Sequence, residues 1–194
     1  MNLIKISLLT LVLALTGLVT NSAPAHAFAK LAVVGDFNFP KLSNNSGSSS
    51  GDLGVGAGAL LEFDTSMITA FEIGALYHPR KFSAGGFSNT SKYILVPVQF
   101  RVHIVPMVVV GAGGYFAKGI GSSASLSFGG VTANGSGGTP DNDYGLMASA
   151  GLDLPLAPLF SLVLEGRYLL GLKDVGNSTH WRDTQVLAGV RFGI

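Results

Sequence analysis

The sequence contains no cysteine and few charged residues. Without cysteine, neither disulfide bonds nor cysteine-ligated metal sites can form. Charged residues make up 12% of the chain and hydrophobic residues 47%, whereas about 25% of residues are charged in typical soluble domains. A chain so poor in charge has difficulty covering a water-facing surface. A membrane barrel has less water-facing surface to cover, so the composition fits that class of protein.

Clusters of lysine and arginine are also missing. The formal net charge is +1, and removal of a leader that contains Lys5 brings it to zero. Nucleic-acid binding requires clustered basic residues, so we expect no nucleic-acid partner.

The first 27 residues have the parts of a secretory signal. Lys5 is the positive residue, Leu8 to Val19 is the apolar segment, and Ala25-His26-Ala27 is a small-x-small cleavage site. We therefore expect a cleaved signal peptide over residues 1–27 and one domain over residues 28–194. An uncleaved membrane anchor is the alternative, but the apolar segment is short for a spanning helix.

The rest of the chain lacks a long apolar run. The longest one, Ile104 to Ala117, is interrupted by Pro106 and three glycines. It is shorter than the roughly 18 residues that indicate a membrane helix. We expect an exported protein without a helical span.

Alternation is strongest between Lys92 and Phe116. Side chains on a strand point to opposite faces in turn, and here one face becomes polar at Gln99, Arg101 and His103. The Val105-Pro106 pair then makes a very short turn. The apolar face consists of Ile94, Val96, Val98, Phe100, Val102 and Ile104. This arrangement suits a strand with lipid outside and a polar lumen inside, although alternation alone also fits a soluble sandwich.

Similar alternation elsewhere gives eight strands in total. Short turns at 64–66, 105–106 and 155–158 alternate with long polar segments. The long segments are residues 41–52, 79–91, 118–143 and 171–180. We expect part of the third, Ala124 to Val131, to extend the strands. An even strand number with alternating short and long connections is typical of bacterial outer-membrane barrels, and closure leaves no unpaired edge in lipid. The predicted fold is an all-β, eight-stranded antiparallel transmembrane up-and-down β-barrel.

Several polar residues fall on the inward faces of these strands. They are Glu62, Glu72, Gln99, Arg101, His103, Glu165, Arg167, Gln185 and Arg191. An eight-stranded barrel has room for side chains but not for an open channel, and buried charges need partners. We therefore predict an ion-paired polar network that plugs the lumen. A static network is favoured over a gate that opens by exchanging partners.

One segment contains the residue types of a serine esterase. Ser178-Thr179-His180 lies near Asp174 and Asp183, but no nucleophile elbow is present. We predict that the protein is not an enzyme and that it has no cofactor.

Metal ligation is also disfavoured. His103 has no second histidine or cysteine at ligand spacing, so we expect it to form hydrogen bonds in the lumen. Asp141-Asn142-Asp143 resembles a fragment of a calcium loop but lacks the required glycine and distal glutamate. A solvated loop is the expected structure there.

Six aromatic residues lie near the long-loop ends of their strands. We predict that they form the outer aromatic girdle, with Phe63 and Phe160 near the opposite rim. The six are Tyr77, Tyr93, Tyr115, Tyr144, Tyr168 and Trp181.

Several motifs resemble the small bacterial outer-membrane β-barrel family, the porin-like or OmpA-like eight-stranded barrels. They are Tyr93-Ile-Leu-Val-Pro97, Val110-Gly-Ala-Gly-Gly-Tyr-Phe116 and Glu165-Gly-Arg-Tyr-Leu-Leu-Gly-Leu172. The family usually ends with an aromatic residue that the barrel assembly machinery reads, whereas Phe192 lies two residues before the end of Val190-Arg-Phe-Gly-Ile194. The resemblance implies a bacterial outer-membrane location, with outer-membrane lipid and the assembly machinery as partners.

The expected role is structural or in surface interaction, with a surface ligand bound through the four long segments. One alternative is a lipid-modifying barrel enzyme that uses Ser178 and His180. Another is a secreted soluble barrel that binds a small apolar ligand, which requires apolar inward faces. A wide diffusion porin is disfavoured by the strand number.

Overall fold

The computed structural model describes residues 29–44, 47–84, 87–105, 107–128, 131–157, 159–174 and 179–193. The expected signal peptide lies outside these residues. Across the described part, the chain forms ten strands. They are β1 (Ala29–Asn44), β2 (Gly47–Ser50), β3 (Gly54–Asp64), β4 (Thr69–Ala84), β5 (Phe87–Val105), β6 (Val108–Phe128), β7 (Val131–Gly137), β8 (Asp143–Ala157), β9 (Phe160–Gly171) and β10 (His180–Gly193). None of the described residues belongs to a helix long and apolar enough to cross a membrane.

Pairing of β10 with β1 closes the sheet into a barrel. The seam runs antiparallel from the Lys30–Gly193 pair to the Ser43–His180 pair. Eight long strands form the ring in the order β1, β3, β4, β5, β6, β8, β9 and β10. The two short strands, β2 and β7, pair with β1 and β6. The predicted eight-stranded antiparallel barrel is therefore confirmed.

Short connections gather at one end of the barrel, which we call the turn end. Residues 65–68 join β3 to β4, and Thr65 N donates to Thr69 O at 2.9 Å. The alternation of Met67, Thr69, Phe71 and Ile73 predicts a strand that includes Met67, but Met67 lies in this turn and is 96% exposed. The β5–β6 and β8–β9 connections lie at the same end, and their prolines, Pro106 and Pro158, fall outside the described residues.

Long β-hairpins project from the other end, which we call the hairpin end. The prediction that residues 79–91 form a loop was wrong, because β4 continues to Ala84 and β5 starts at Phe87. Part of 41–52 is likewise a hairpin of β1 with β2. A strand can continue where both of its faces are polar, because the backbone N–H and C=O groups still pair with the neighbouring strand. The expected strand extension is confirmed over residues 124–128, where β6 pairs with β7.

Side-chain direction follows the predicted alternation. On β5, Phe100 and Ile104 are 50% and 61% exposed, whereas Leu95 and Gln99 are almost completely buried. The outward rows are apolar and the inward rows contain the charged residues. This is the arrangement of a membrane barrel, with lipid outside and a polar interior. This is the reverse of the pattern that a soluble ligand-binding barrel requires.

Inward glycines leave space for large inward side chains on neighbouring strands. A Cβ atom at Gly113 would lie 2.1 Å from the Val98 carbonyl oxygen, so this inward position has no room for a side chain. Large apolar residues pack across the middle of the lumen, and we call them the apolar belt. They are Leu60, Leu76, Leu95, Met147, Leu169 and Leu187.

Candidate functional site: buried charges of the lumen

A cluster of charged and amide side chains, most of them buried, lies inside the barrel between the apolar belt and the turn end, and we call it the turn-end cluster. Its members are Lys30, Glu62, Glu72, Gln99, Arg101, Asp153, Glu165, Arg167 and Arg191. These residues come from β1, β3, β4, β5, β8, β9 and β10. Side chains at alternate positions of a strand point to the same face, and these residues all occupy inward positions. Closure of the ring brings them together.

Glu72 is the centre of this cluster. Its carboxylate accepts hydrogen bonds from Arg101 Nη1 and from Arg167 Nη2, the latter at 2.6 Å. Gln99 Nε2 donates to the same carboxylate at 2.8 Å, and Arg191 Nη2 lies 3.4 Å from it. Three guanidiniums thus converge on one buried carboxylate.

The remaining acids balance these three guanidiniums. Glu165 lies 2.6 Å from Arg167 Nε and 3.1 Å from Arg101 Nη2. Glu62 lies 3.1 Å from Arg191 Nη1 and 3.2 Å from Arg101 Nη1. Every arginine of the cluster therefore contacts at least two carboxylates, as buried charges require.

The structure brings seven of the nine predicted lumen residues into this cluster. They are Glu62, Glu72, Gln99, Arg101, Glu165, Arg167 and Arg191. His103 lies at the turn-end mouth, with Nε2 4.0 Å from Asp153 Oδ2. Gln185 is buried, but its amide makes no hydrogen bond with the described residues. Lys30 and Asp153 are not in the predicted set, although Asp153 continues the inward alternation of Met147 and Ser149 on β8.

A second buried cluster, which we call the hairpin-end cluster, was missed from the sequence. It consists of Asp36, His78, Arg80, Asp143 and Asp183, all fully buried. His78 Nδ1 lies 2.7 Å from Asp36 Oδ2, and Nε2 lies 3.3 Å from Asp183 Oδ2. Arg80 donates from Nε to Asp183 at 2.7 Å and from Nη2 to Asp143 at 2.8 Å.

The hairpin-end cluster was missed because two members had been assigned to loops. Arg80 continues the inward parity of Leu76 and His78 beyond the point where the strand was expected to end. Asp143 was expected in a solvated loop, but it is the first residue of β8 and is fully buried. If the alternation of inward and outward residues is continued by one or two residues at each strand end, Arg80 and Asp143 both fall at inward positions.

Aromatic rings surround Arg80. Its guanidinium carbon lies 4.8 Å from the Tyr93 ring centroid and 4.5 Å from that of Trp181. Tyr115 donates its hydroxyl hydrogen to Asp143 at 2.9 Å. Tyr93, Tyr115 and Trp181 thus face the lumen, and their assignment to the outer girdle was wrong. The remaining three predicted girdle residues are outward: Tyr77, Tyr144 and Tyr168.

Two residues of the suggested esterase set make other contacts in the structure. His180 Nδ1 lies 3.1 Å from the Lys173 carbonyl oxygen. Asp183 contacts Arg80 and His78 instead. Ser178 lies outside the described residues.

Three possible metal ligands meet at the turn-end mouth. Atoms of Glu62, His103 and Asp153 lie within 4.8 Å of one another. Arg191 Nη1 contacts both carboxylates, and Lys30 Nζ lies 3.1 Å from Glu62. Because these cations already balance the acids, the donor set does not favour a metal ion.

A cavity of about 800 Å³ opens at the same mouth. Its lining combines charged Lys30, Asp153 and Arg191 with apolar residues of the turns, such as Ile68 and Leu159. The cavity is bounded on the inside by the turn-end cluster.

The closed ring, the apolar outward rows and the charged interior define a transmembrane β-barrel of the bacterial outer membrane. Residues 10–192 match the family model described as outer membrane protein beta-barrel domain. The chain therefore belongs to this family, and the expected outer-membrane location is confirmed. No curated protein matches the sequence.

Two solved structures support the same fold. The crystal structure of Neisserial surface protein A (NspA) has a TM-score of 0.51 and 18% identity, covering 84% of this chain and 97% of that one. The solid-state NMR structure of outer membrane protein AlkL in DMPC lipid bilayers has a TM-score of 0.52 and 9% identity, covering 90% and 93%. At these identities the likeness concerns the fold.

Proposed function

We propose that the protein is a surface-interaction barrel whose lumen is plugged and whose projecting hairpins bind a ligand outside the cell. The observation that carries the surface role is the four-stranded sheet that β4, β5, β6 and β7 extend beyond the barrel. Its outward face presents rows of hydroxyl and amide groups across the strands. The two rows are Ser83, Ser88, Ser125 and Asn134, and Lys81, Thr90, Ser123 and Ser136.

Such a face suits a hydrogen-bonding ligand. Neighbouring strands lie about 4.8 Å apart and successive same-face residues about 6.8 Å apart, so the hydroxyls form a regular grid. Only Lys81 carries a charge in the two rows. A glycan, which presents many hydroxyls at similar spacing, is the ligand class that this grid fits.

The plugged lumen is supported by two clusters of paired charges with the apolar belt between them. On β4, Leu76 lies between Glu72 and His78, and on β8, Met147 lies between Asp153 and Asp143. An ion on its way through would have to separate buried ion pairs at two levels and cross an apolar layer. Each of these steps is costly.

We further propose that the barrel acts without catalysis. The support is that Asp183, the acid nearest His180 in sequence, is occupied by Arg80 and His78. Cells that express the Ser178→Ala and His180→Ala variants should show the same lipid A profile as cells with the unaltered protein. A lipid A modification that disappears in either variant would favour the lipid-modifying enzyme.

A glycan array tests the surface role. The folded protein in detergent is compared with a variant in which Ser88, Ser125 and Asn134 are replaced by alanine. We expect glycan binding that the triple variant loses, while its unboiled band on a gel still migrates differently from the boiled band. A matched control replaces Ser127 and Thr132, which lie farther out on the β6–β7 hairpin. Equal binding by the triple variant, or no binding by any form, would contradict the proposal.

A further inference from the structure

A histidine lies between two carboxylates in the hairpin-end cluster. His78 Nδ1 lies 2.7 Å from Asp36 Oδ2, and His78 Nε2 lies 3.3 Å from Asp183 Oδ2. All three side chains are fully buried, and we call this set the histidine clamp. A neutral imidazole has one N–H group, whereas the imidazolium has two. Only the imidazolium donates a hydrogen to both carboxylates.

Glycines on β3 let the clamp form across an intervening strand. β3 lies between β1 and β4 in the ring, so Asp36 and Asn38 reach over it toward His78. The β3 residues paired with these two are Gly56 and Gly54. A Cβ atom at Gly54 would lie 2.6 Å from Asn38 Oδ1. β3 therefore places no side chain between the partners of the clamp.

The other charges near His78 are already engaged. Arg80 is shared between Asp183 and Asp143, at 2.7 and 2.8 Å. Among the described residues, His78 is the only ion-pair partner of Asp36. β3 and β9 bring no charged group to this level, since their inward residues here are glycine and leucine. The charged and titratable groups that face the clamp are Asp36 on β1, Arg80 on β4, Tyr93 on β5, Tyr115 on β6, Asp143 on β8 and Asp183 on β10.

Loss of one proton changes the balance of charge at the hairpin end. With an imidazolium, His78 and Arg80 together face the three carboxylates of Asp36, Asp143 and Asp183. With a neutral ring, Arg80 alone faces them, and buried charge without a partner is costly. Asp36 and Asp183 come from β1 and β10, the two strands of the closing seam. Proton loss therefore leaves uncompensated carboxylates on both sides of the seam.

We propose that the histidine clamp is a proton-binding site that holds the hairpin end of the seam closed and releases it as the pH rises. The bound proton stabilises the seam while His78 is an imidazolium, and this stabilisation is lost when the ring becomes neutral. β1 continues into the β1–β2 hairpin and β4 into the β4–β5 hairpin, so the clamp fixes the bases of two projecting hairpins. This inference does not depend on the surface ligand.

The single tryptophan of the chain reports on this end of the seam. Trp181 pairs with Leu42 across the seam, and its ring centroid lies 4.5 Å from the guanidinium carbon of Arg80. The folded protein in uncharged detergent is titrated from about pH 6 to about pH 9, a range that includes the ordinary titration of histidine and stops before that of tyrosine. We expect the tryptophan emission to move to longer wavelength and acrylamide to quench it more strongly as the pH rises. Unchanged emission and quenching over this range would overturn the proposal.

Substitutions at His78 separate the proton from other effects. His78→Gln has no titratable ring, so its emission should stay at long wavelength at every pH and show no transition. His78→Lys keeps a cation between the two carboxylates and should keep the short-wavelength emission throughout. His103→Gln and His180→Gln should both retain the transition of the unaltered protein. A transition that persists in His78→Gln, or is lost in either control, would overturn the assignment to His78. All variants are first checked for the gel shift between the unboiled and boiled forms.

A measurement on the unaltered side chain keeps the proposal testable if the His78 variants do not fold. In residues 28–194 the histidines are His78, His103 and His180, so the two control variants identify the His78 signals in a nuclear magnetic resonance spectrum of isotope-labelled ring nitrogens. At about pH 7 both ring nitrogens of His78 should be protonated, and one should lose its proton over the interval in which the tryptophan emission changes. One unprotonated ring nitrogen at about pH 7 would overturn the proposal, because a neutral ring does not donate to both carboxylates.

Discussion

Arg80 on β4 and Asp143 on β8 form a buried ion pair of 2.8 Å across the lumen. The two residues are 63 positions apart, and β5 and β6 lie between their strands in the ring. The pair therefore links two strands that are not neighbours in the ring, in addition to the hydrogen bonds between neighbouring strands. Removing either partner leaves a buried charge without its counter-charge.

Replacing Arg80 by methionine should destabilise the folded barrel by about 3–5 kcal/mol, because Asp143 and Asp183 lose their cation. Urea titration in lipid vesicles, read by the gel shift of the folded form, measures this change. The neighbouring Lys81→Met variant, which changes an outward residue, should alter stability by less than about 1 kcal/mol. Similar midpoints for the two variants would count against the role assigned to the hairpin-end cluster.

The Glu72→Gln variant tests the turn-end cluster. It keeps the size of the side chain but removes the charge that Arg101, Arg167 and Arg191 share. We expect a loss of about 3 kcal/mol in the same urea titration. Asp64→Asn is the matched control, since Asp64 pairs with Lys30 at the mouth and is less deeply buried. The control should lose less than about 1 kcal/mol, and an equal loss in both variants would argue against Glu72 as the centre of the cluster.

Two glycines distinguish the filled interior from the lipid-facing surface. Gly113→Ala places a Cβ atom 2.1 Å from the Val98 carbonyl oxygen, so the strands must shift and we expect a loss of about 1–3 kcal/mol. At Gly166 the nearest atom to the added Cβ is 3.8 Å away. Gly166→Ala should therefore be neutral or stabilise by up to about 1 kcal/mol. The fraction of heat-modifiable protein after refolding measures both, and the reverse order would contradict the inward and outward assignments.

The number of strands in the ring, the places of the three short connections and the inward positions were predictable from the sequence, because lipid outside and charge inside give a strong period of two. The hairpin extensions were not, because their two faces are both polar and no period remains. Arg80 and Asp143 were lost for this reason, although both continue the parity of their strands. The partners of each charge also depend on the stagger of the closed ring. The contact between Glu72 on β4 and Arg167 on β9 could not be inferred from either strand alone.

Aromatic residues show a similar limit. Position near a strand end suggested six girdle residues, but parity places Tyr93, Tyr115 and Trp181 inside. There they pack beside Arg80 or bind Asp143. Closeness to a strand end does not show whether a side chain points to lipid or to the lumen. The alternation along the strand shows this, because successive side chains of a pleated strand point to opposite faces.

Conductance in a planar lipid bilayer tests the plugged lumen most directly. The folded protein is inserted at neutral pH in a simple salt solution, and currents are recorded over a range of voltages. The account predicts no stable conductance steps, because two layers of ion pairs and the apolar belt close the lumen. The Glu72→Gln variant, if it remains folded, serves as a comparison with a weakened turn-end cluster. Regular open steps of the unaltered protein would contradict a closed lumen.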